Sequence, residues 1–294
     1  MEIEGVIREI PITSFSFRPV ELEAEKITVL GPSRNDFPSR CPPKAGPDIR
    51  ITERHFLIRQ PEFANITMLR SILVRAIRAY FEETNCIEIF PPSFVSNQCE
   101  GGATLFDLKY PDKDSGEITA YLTQSSQFYL EFLLPGIGDC FCIAPSFRKE
   151  RSHTRRHATE FLHAECEWAG IITPEEHYSK LKYMLKGVIT KFLLLGHRYL
   201  EELKLTGRVE KLLHMCDDII ILQHQDAIKY CRDHEIYKDI DTKTHFSIFD
   251  DIPEMQERAM IDSMDKIVFL VKIPKFFKSF YFKTFADDVL YVMG

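Results

Sequence analysis

From Phe147 to His157 the chain reads Phe-Arg-Lys-Glu-Arg-Ser-His-Thr-Arg-Arg-His, five basic Arg or Lys side chains against one Glu. Guanidinium groups gathered on a loop match phosphate oxygens, because each presents a planar fork of donors that engages two oxygens at once. A basic turn facing only water is the other reading that composition permits. Just downstream, Phe161, His163, Glu165 and Glu167 recur at every second position. In a strand, that spacing puts an aromatic ring, an imidazole and two carboxylates on one face. Carboxylates beside an Arg-rich loop suit a cationic or amide-bearing ligand. His163, Glu165 and Glu167 are chemically able to ligate a metal, but no metal is expected here. His153 and His157 lie four apart without the His-Glu-x-x-His helix pattern of a zinc site.

Such a loop needs two strands to hold it, and Cys140–Ala144 and Phe161–Trp168 have the required alternation. A helix from about Ser126 to Leu134 and a strand at Ala120–Thr123 precede them. Ile66, Leu69, Ile72, Leu73, Ala76, Ile77 and Tyr80 follow helical spacing and predict a helix over 61–83. A strand at Cys86–Phe90 follows and stops at Pro91–Pro92, which lack the N–H groups a ladder needs. Thr173–Pro174–Glu175–Glu176 has Thr at the cap, Pro at the first helical position and Glu at the third, so a helix runs from there to about Tyr199. Residues 205–245 mix helix and loop. Ile267–Ile273 and Phe280–Thr284 read as strands, and 289–294 has a strand pattern. Near the start, Gly5–Ile10 and Val20–Leu30 alternate as strands, and 31–47 is a linker rich in Gly, Pro and Ser. Two or three strands bury no core by themselves.

The 294 residues carry 37 Lys and Arg against 44 Asp and Glu, a net charge of −7. That excludes a general nucleic-acid coat, so nucleic acid must be met through a local basic cluster. No run of apolar residues is long enough to cross a membrane, and Met1–Glu4 does not begin a secretory leader. The eight cysteines contain no Cys-x-x-Cys pair, and reduced, buried thiols of a cytoplasmic protein are expected.

Phe147–Arg148–Lys149–Glu150, the basic loop, Arg156–His157 and Glu160–Phe161 resemble motif 2 of the class II aminoacyl-tRNA synthetases. The 61–83 helix with the strand ending at Pro91–Pro92 resembles motif 1, the dimer-forming segment. Glu100–Gly101–Gly102–Ala103–Thr104–Leu105–Phe106, Thr123–Gln124–Ser125–Ser126–Gln127 and Arg155–Arg156–His157 resemble the aspartate/asparagine subclass, most of all its asparaginyl members. Aspartyl members resemble Gln-Ser-Pro-Gln-Leu-Phe/Tyr-Lys at 124–130, whereas Leu130 stands at the Lys position here. Without that cation, Glu165 suits a neutral carboxamide and repels a carboxylate. The resemblance is strong over about 50–168, resumes at Asp251–Glu254 and at Ile273–Tyr281, and is poor over 170–245.

The resemblance implies an α+β fold, an antiparallel sheet flanked by helices. Residues 1–46 would be partial OB-fold strands and a linker, and 47–294 the catalytic core up to, but not including, motif 3. It implies asparagine–tRNA ligase chemistry: ATP and asparagine give the adenylate, and the acyl group passes to tRNA. Arg148 would be the catalytic group, bridging the α-phosphate and the substrate carboxylate. Glu150 and Phe161 would meet adenine, and Arg156 with His157 the outer phosphates. Glu100 and Gln127 would receive the ammonium of the amino acid, and Glu165 its side-chain amide. ATP with Mg²⁺, asparagine, tRNA and a second copy of the chain are the implied partners, and no membrane. A partial OB-fold implies weakened tRNA recognition. The absence of motif 3 and of the metal-binding Glu segment before Gly294 implies little or no activity for the chain by itself. Two other readings are an asparagine synthetase related to this family and a non-catalytic dimerising paralogue.

Overall fold

A computed structural model of the chain describes residues 1–10, 19–42, 45–97, 105–149, 157–284 and 291–292. Two compact units divide it, Met1–Ala64 and Asn65–Gly294. In the first, β1 (Glu2–Glu9) and β2 (Val20–Thr28) form an antiparallel hairpin with a bulge at Glu4/Gly5. Every residue of both strands is exposed, as expected of two strands without a core. Gly5 is required at the bulge, because a Cβ there would sit 2.1 Å from the Glu23 carbonyl oxygen. Three short helices follow: α1 (Phe37–Arg40), α2 (Pro47–Thr52) and α3 (Arg54–Leu57). Arg40 Nη2 donates to both oxygens of Glu53 at 2.9 Å.

The long helix α4 (Pro61–Glu83) buries Asn65, Leu69, Ile72 and Ala76 as one stripe at helical spacing, and Phe81 near its end on another side. It stops at Asn85, whose φ of 56° turns the chain so that Cys86 N–H donates to the Phe81 carbonyl. The expected 86–90 strand shrinks to β3 (Ile87–Glu88). β4 (Phe94–Val95), β5 (Asp107–Asp112) and β6 (Gly116–Leu122) make one three-stranded sheet in the order β4-β6-β5. Sequence reading finds only the end of β6. The turn between β5 and β6 is fixed by Asp112, whose Oδ2 accepts from Ser115 N–H at 2.8 Å and from Asp114 N–H at 3.2 Å, before Gly116 at φ 79°.

Helix α5 (Gln127–Ile137) leads into β7 (Cys140–Phe147), which pairs antiparallel with β8 (Glu160–Glu167) and parallel with β3. The expected sheet is therefore antiparallel at its hairpin and parallel at one edge. Alternation gives β7 two buried faces. Cys140 and Cys142 pack with Leu130 and Ile89 under α5, while Phe141 stacks on Phe81 of α4 at 4.4 Å. Helix α6 (Pro174–Glu202) starts at the foreseen capping box: Glu176 N–H donates to Thr173 Oγ1, and Thr173 N–H donates to Glu176.

The mixed stretch resolves into α7 (Thr206–Met215), β9 (Ile220–Gln223) and α8 (His224–Asp233), with α9 (Glu254–Met264) and β10 (Val268–Val271) beyond. β9 and β10 pair in parallel over a core of Ala227, Ile228, Cys231, Phe246 and Met260. The expected 267–273 strand is interrupted at Lys272, where φ is 50°, and resumes as β11 (Ile273–Pro274), which pairs with β12 (Tyr291–Val292). Phe280–Thr284 is not the strand its aromatics suggest. After a 3₁₀ turn at Lys275–Phe277, local bonds such as Phe282 N–H to Ser279 O close turns instead. The seven described cysteines are free thiols, six of them buried.

Candidate active site

The face of the β7–β8 hairpin turned toward α5 is the expected one. Phe161, His163, Glu165 and Glu167 stand along β8, opposite Ser146, Ala144, Cys142 and Cys140. At the loop end, Arg148 N–H donates to the Thr159 carbonyl at 3.0 Å and closes the ladder. The Arg148 guanidinium lies over the Phe161 ring, 5.5 Å from its centroid. Its Nε is buried and has no hydrogen-bond partner among the described residues. A buried donor in that state costs stability unless a ligand accepts from it, so Arg148 is set for an anion. The ring of His163 sits 5.2 Å from that of Phe161, and its Nδ1 is 3.1 Å from Ser146 Oγ.

Further along, Glu165 is held by residues that sequence reading leaves without a role. Ser125 Oγ donates to Glu165 Oε1, and Ser126 N–H donates to Oε2 at 2.8 Å. Ser126 precedes the first residue of α5, so this carboxylate sits at the positive end of a helix. Thr123, Gln124, Ser125 and Ser126 are all buried, and Thr123 Oγ1 donates to the Ser125 carbonyl at 2.7 Å. His163 Nδ1 also stands 3.5 Å from Oε2; a carboxylate offers about four lone-pair directions, so these neighbours still leave room for a ligand's N–H group. Leu130 is fully buried against Cys140 and Cys142. It contributes no cation, and it belongs to the core, not to the lining of the site. Gln127 is half-buried, and its Nε2 donates to Glu131 Oε1 at 2.7 Å. Glu167 closes the row; burial first, then the charges of Glu131 and Glu165, push its carboxyl up to about 7.

Arg148, Phe161 and Glu165 thus share one sheet face, with Gln127 at the start of the helix packed on it. His157 lies on the exposed loop side. Glu100, Glu150 and Arg156 lie outside the described residues. Among the described residues, no group of three or more His, Cys, Asp or Glu side chains is placed to hold a metal ion. The Ser125 and Ser126 contacts span 40 and 39 residues of sequence, so no local pattern signals them. A cavity of about 350 Å³ flanks the same turn, lined by Val95, Asn97, Gln124, Ser125, Phe128 and Phe132 among others.

Residues 46–291 match the family described as tRNA synthetases class II (D, K and N). The cytoplasmic asparagine–tRNA ligase of Dictyostelium discoideum is 36% identical over 271 residues, which are 92% of this chain and 40% of that protein. That of Saccharomyces cerevisiae is 32% identical over 292 residues, 97% of this chain and 50% of that protein. The chain spans about half the length of these curated relatives or less. Among solved structures, the Entamoeba histolytica asparaginyl-tRNA synthetase in complex with asparaginyl-adenylate superposes with a TM-score of 0.81 at 26% identity, over 98% of this chain and 63% of that one. The Pyrococcus horikoshii asparaginyl-tRNA synthetase complexed with asparaginyl-adenylate gives 0.79 at 29% identity, over 99% of this chain and 63% of that one. With its fold, its sheet-face geometry and the match over 46–291 in agreement, the chain belongs to the class II tRNA synthetases of the D, K and N group.

Proposed function

We propose that this chain binds asparagine and ATP as an asparagine–tRNA ligase, forming asparaginyl-adenylate and passing the acyl group to tRNA. The observation that carries the reading is Glu165, fixed by Ser125 Oγ and Ser126 N–H at the start of α5. A carboxylate held there accepts from the NH₂ of a carboxamide and repels an aspartate carboxylate. The naming of the relatives supports the same choice and a cytoplasmic location. Arg148, with its orphaned Nε, suits the α-phosphate of ATP. Attack by the substrate carboxylate expels pyrophosphate; no protein nucleophile is needed, and orientation and charge neutralisation supply the acceleration. Phe161 offers adenine a ring face, and Gln127 offers the substrate ammonium an amide oxygen. Glu100, Glu150, Arg156 and His157 are assigned as the resemblance implies. Mg²⁺ is the expected companion of ATP, but the described residues provide no carboxylate set for it, and no step is routed through it. A dimer built on α4 and β3 completes the reading.

Calorimetry of the 294-residue chain with asparagine and with aspartate tests it. Asparagine is expected to bind at least about tenfold tighter, one buried like-charge contact being worth a few kcal/mol. Glu165→Ala should erase the preference. Equal or tighter binding of aspartate, or no binding of asparagine, would overturn the assignment.

A further inference from the structure

His224 is 2% exposed, and neither nitrogen of its ring makes a hydrogen bond among the described residues. It is the first residue of α8, where the free N–H groups give a helix its positive end. Its ring neighbour is Phe277, 6.1 Å away in the 3₁₀ turn that follows β11. Burial and a helix start both suit a neutral imidazole and oppose an imidazolium. The opposite pull comes from one loop, just ahead of α9. There the Asp250 carbonyl and the Asp251 charge ease protonation, but burial outweighs both and holds the ring below the ordinary histidine range. The Asp250 carboxylate is committed elsewhere, to Lys238 Nζ and Ser247 N–H, each at 2.7 Å. The other charged residues of the two turns that meet here, Asp226 on α8 and Lys275, are exposed and screened by solvent. We propose that His224 is an acid-sensitive latch: neutral, it seats the 275–282 segment on the start of α8, and protonated, it turns toward Asp251 and releases that segment.

The released segment leads to the candidate active site. Lys278 N–H donates to the Lys275 carbonyl at 3.1 Å and Phe282 N–H to the Ser279 carbonyl at 3.2 Å, so the stretch is two tight turns. Among the described residues these backbone bonds are local, and side-chain packing holds the stretch in place. Such a segment opens at lower cost than a strand within a sheet. In its second turn Tyr281 meets Phe128 of α5 edge-on, with ring centroids 6.0 Å apart. Phe128 lies in the first turn of α5, directly after the residues that grip Glu165. Phe277 and Tyr281 are four residues apart, so one short stretch joins His224 at one end to Phe128 at the other. Because the closed state disfavours the charge, the contact is at full strength above the ordinary histidine value of about 6.5. It is lost as pH falls from there through the lowered folded value.

Hydrogen exchange of the full chain, read by mass spectrometry at about pH 7.5 and 5 and corrected for intrinsic rates, tests the latch. In wild type, peptides covering 275–282 and the first turn of α8 should lose protection several-fold at the lower pH. Opening rises by up to about tenfold per pH unit between the ordinary and the folded value. Peptides of α4 should not follow, which separates local release from general acid unfolding. His177, the other histidine lowered by burial, lies on α6 beside Trp168, so its titration is read in different peptides. His224→Phe keeps a ring in place and removes the titration, so its protection at 275–282 should be equal at the two pH values. Asp251 is exposed, and Asp251→Asn removes the pull on the imidazolium, so release should need a lower pH than in wild type. An NMR titration should place the His224 midpoint below those of the exposed histidines. Unchanged exchange of 275–282, the same loss in His224→Phe, release of Asp251→Asn at the wild-type pH, or an ordinary His224 midpoint would each overturn the latch. None of these measurements uses a ligand, so the latch stands or falls apart from the asparagine reading.

Discussion

Glu165 and Glu167 are two residues apart on one strand face and live in opposite environments. Glu165 meets a hydroxyl and the first N–H of a helix, so its charge is compensated where it stands. Glu167 stands opposite Cys140, and burial with two neighbouring carboxylates raises its carboxyl to about 7. Its folded-state value is thus above the ordinary one, and the native state holds the proton more tightly than the unfolded chain. Stability from this group is complete below the unfolded value and is lost as pH rises from there through about 7. Glu167 is only partly buried, and solvent screening reduces the corresponding loss to roughly 1–2 kcal/mol. Glu167→Gln keeps the shape and removes the titration. Urea unfolding should find the variant close to wild type near pH 4 and more stable by roughly 1–2 kcal/mol above about pH 8. Parallel pH profiles for the two proteins would show that the Glu167 carboxyl is not raised in this way.

At the scale of elements, the β7–β8 hairpin is held between α5 on one face and α4 on the other, and α6 lies against α4. That last contact depends on two glycines. A Cβ at Gly187 would come within 2.5 Å of Tyr80 Cδ2, and one at Gly196 within 3.1 Å of Leu69 Cδ2. In a free helix Gly→Ala gains about 1 kcal/mol, but overpacking costs about 1–3 kcal/mol, so the clash decides the sign. Gly187→Ala should lower stability in chemical denaturation, and adding Tyr80→Leu should reverse the loss and release the helical gain. Additive effects would mean that the two residues do not meet. The same elements mark what is legible in the chain. The Thr173 cap, the α4 helix and the two faces of β7 and β8 follow from local spacing and are found where the residues put them, although of the α4 stripe Leu69, Ile72 and Ala76 are buried while Ile66 and Leu73 are exposed. The Arg148–Phe161 end of the site is legible for the same reason, because both flank one hairpin. The parallel pairs β3–β7 and β9–β10 join distant segments, and nothing local encodes them. The grip of Ser125 and Ser126 on Glu165 is non-local in the same way. The Asp112–Gly116 turn is different: its Asp, Ser and Gly carry a readable turn signal, and the β5 strand before it escapes because Tyr110–Pro111–Asp112 breaks the apolar alternation.

At the scale of the whole molecule, apolar surface gathers where the family resemblance puts a two-fold contact. On α4, Ile66 and Leu73, two turns apart on one flank of the buried stripe, are 50% and 40% exposed. On the segment after it, Ile87 is 47% and Phe90 86% exposed, and β3 is paired on one side only, by β7, among the described residues. An edge strand beside an apolar helix face is a surface that a second copy covers by the same residues on both sides, as two-fold symmetry requires. We expect the chain to dimerise through it. Removing apolar side chains of this size from water favours association by roughly 1–2 kcal/mol each, and a two-fold axis counts every one twice. Ile87→Asp places a charge on the strand edge of both subunits at once, where it must be buried unpaired or face its copy. Sedimentation should find wild type as a concentration-dependent dimer and Ile87→Asp as a monomer of unchanged helix content. Ile221→Asp is the control, since Ile221 is 53% exposed on β9, away from this surface, and that variant should still dimerise. A wild-type chain that stays monomeric into the tens of micromolar would refute the contact, because a specific isologous interface of this kind binds more tightly than that.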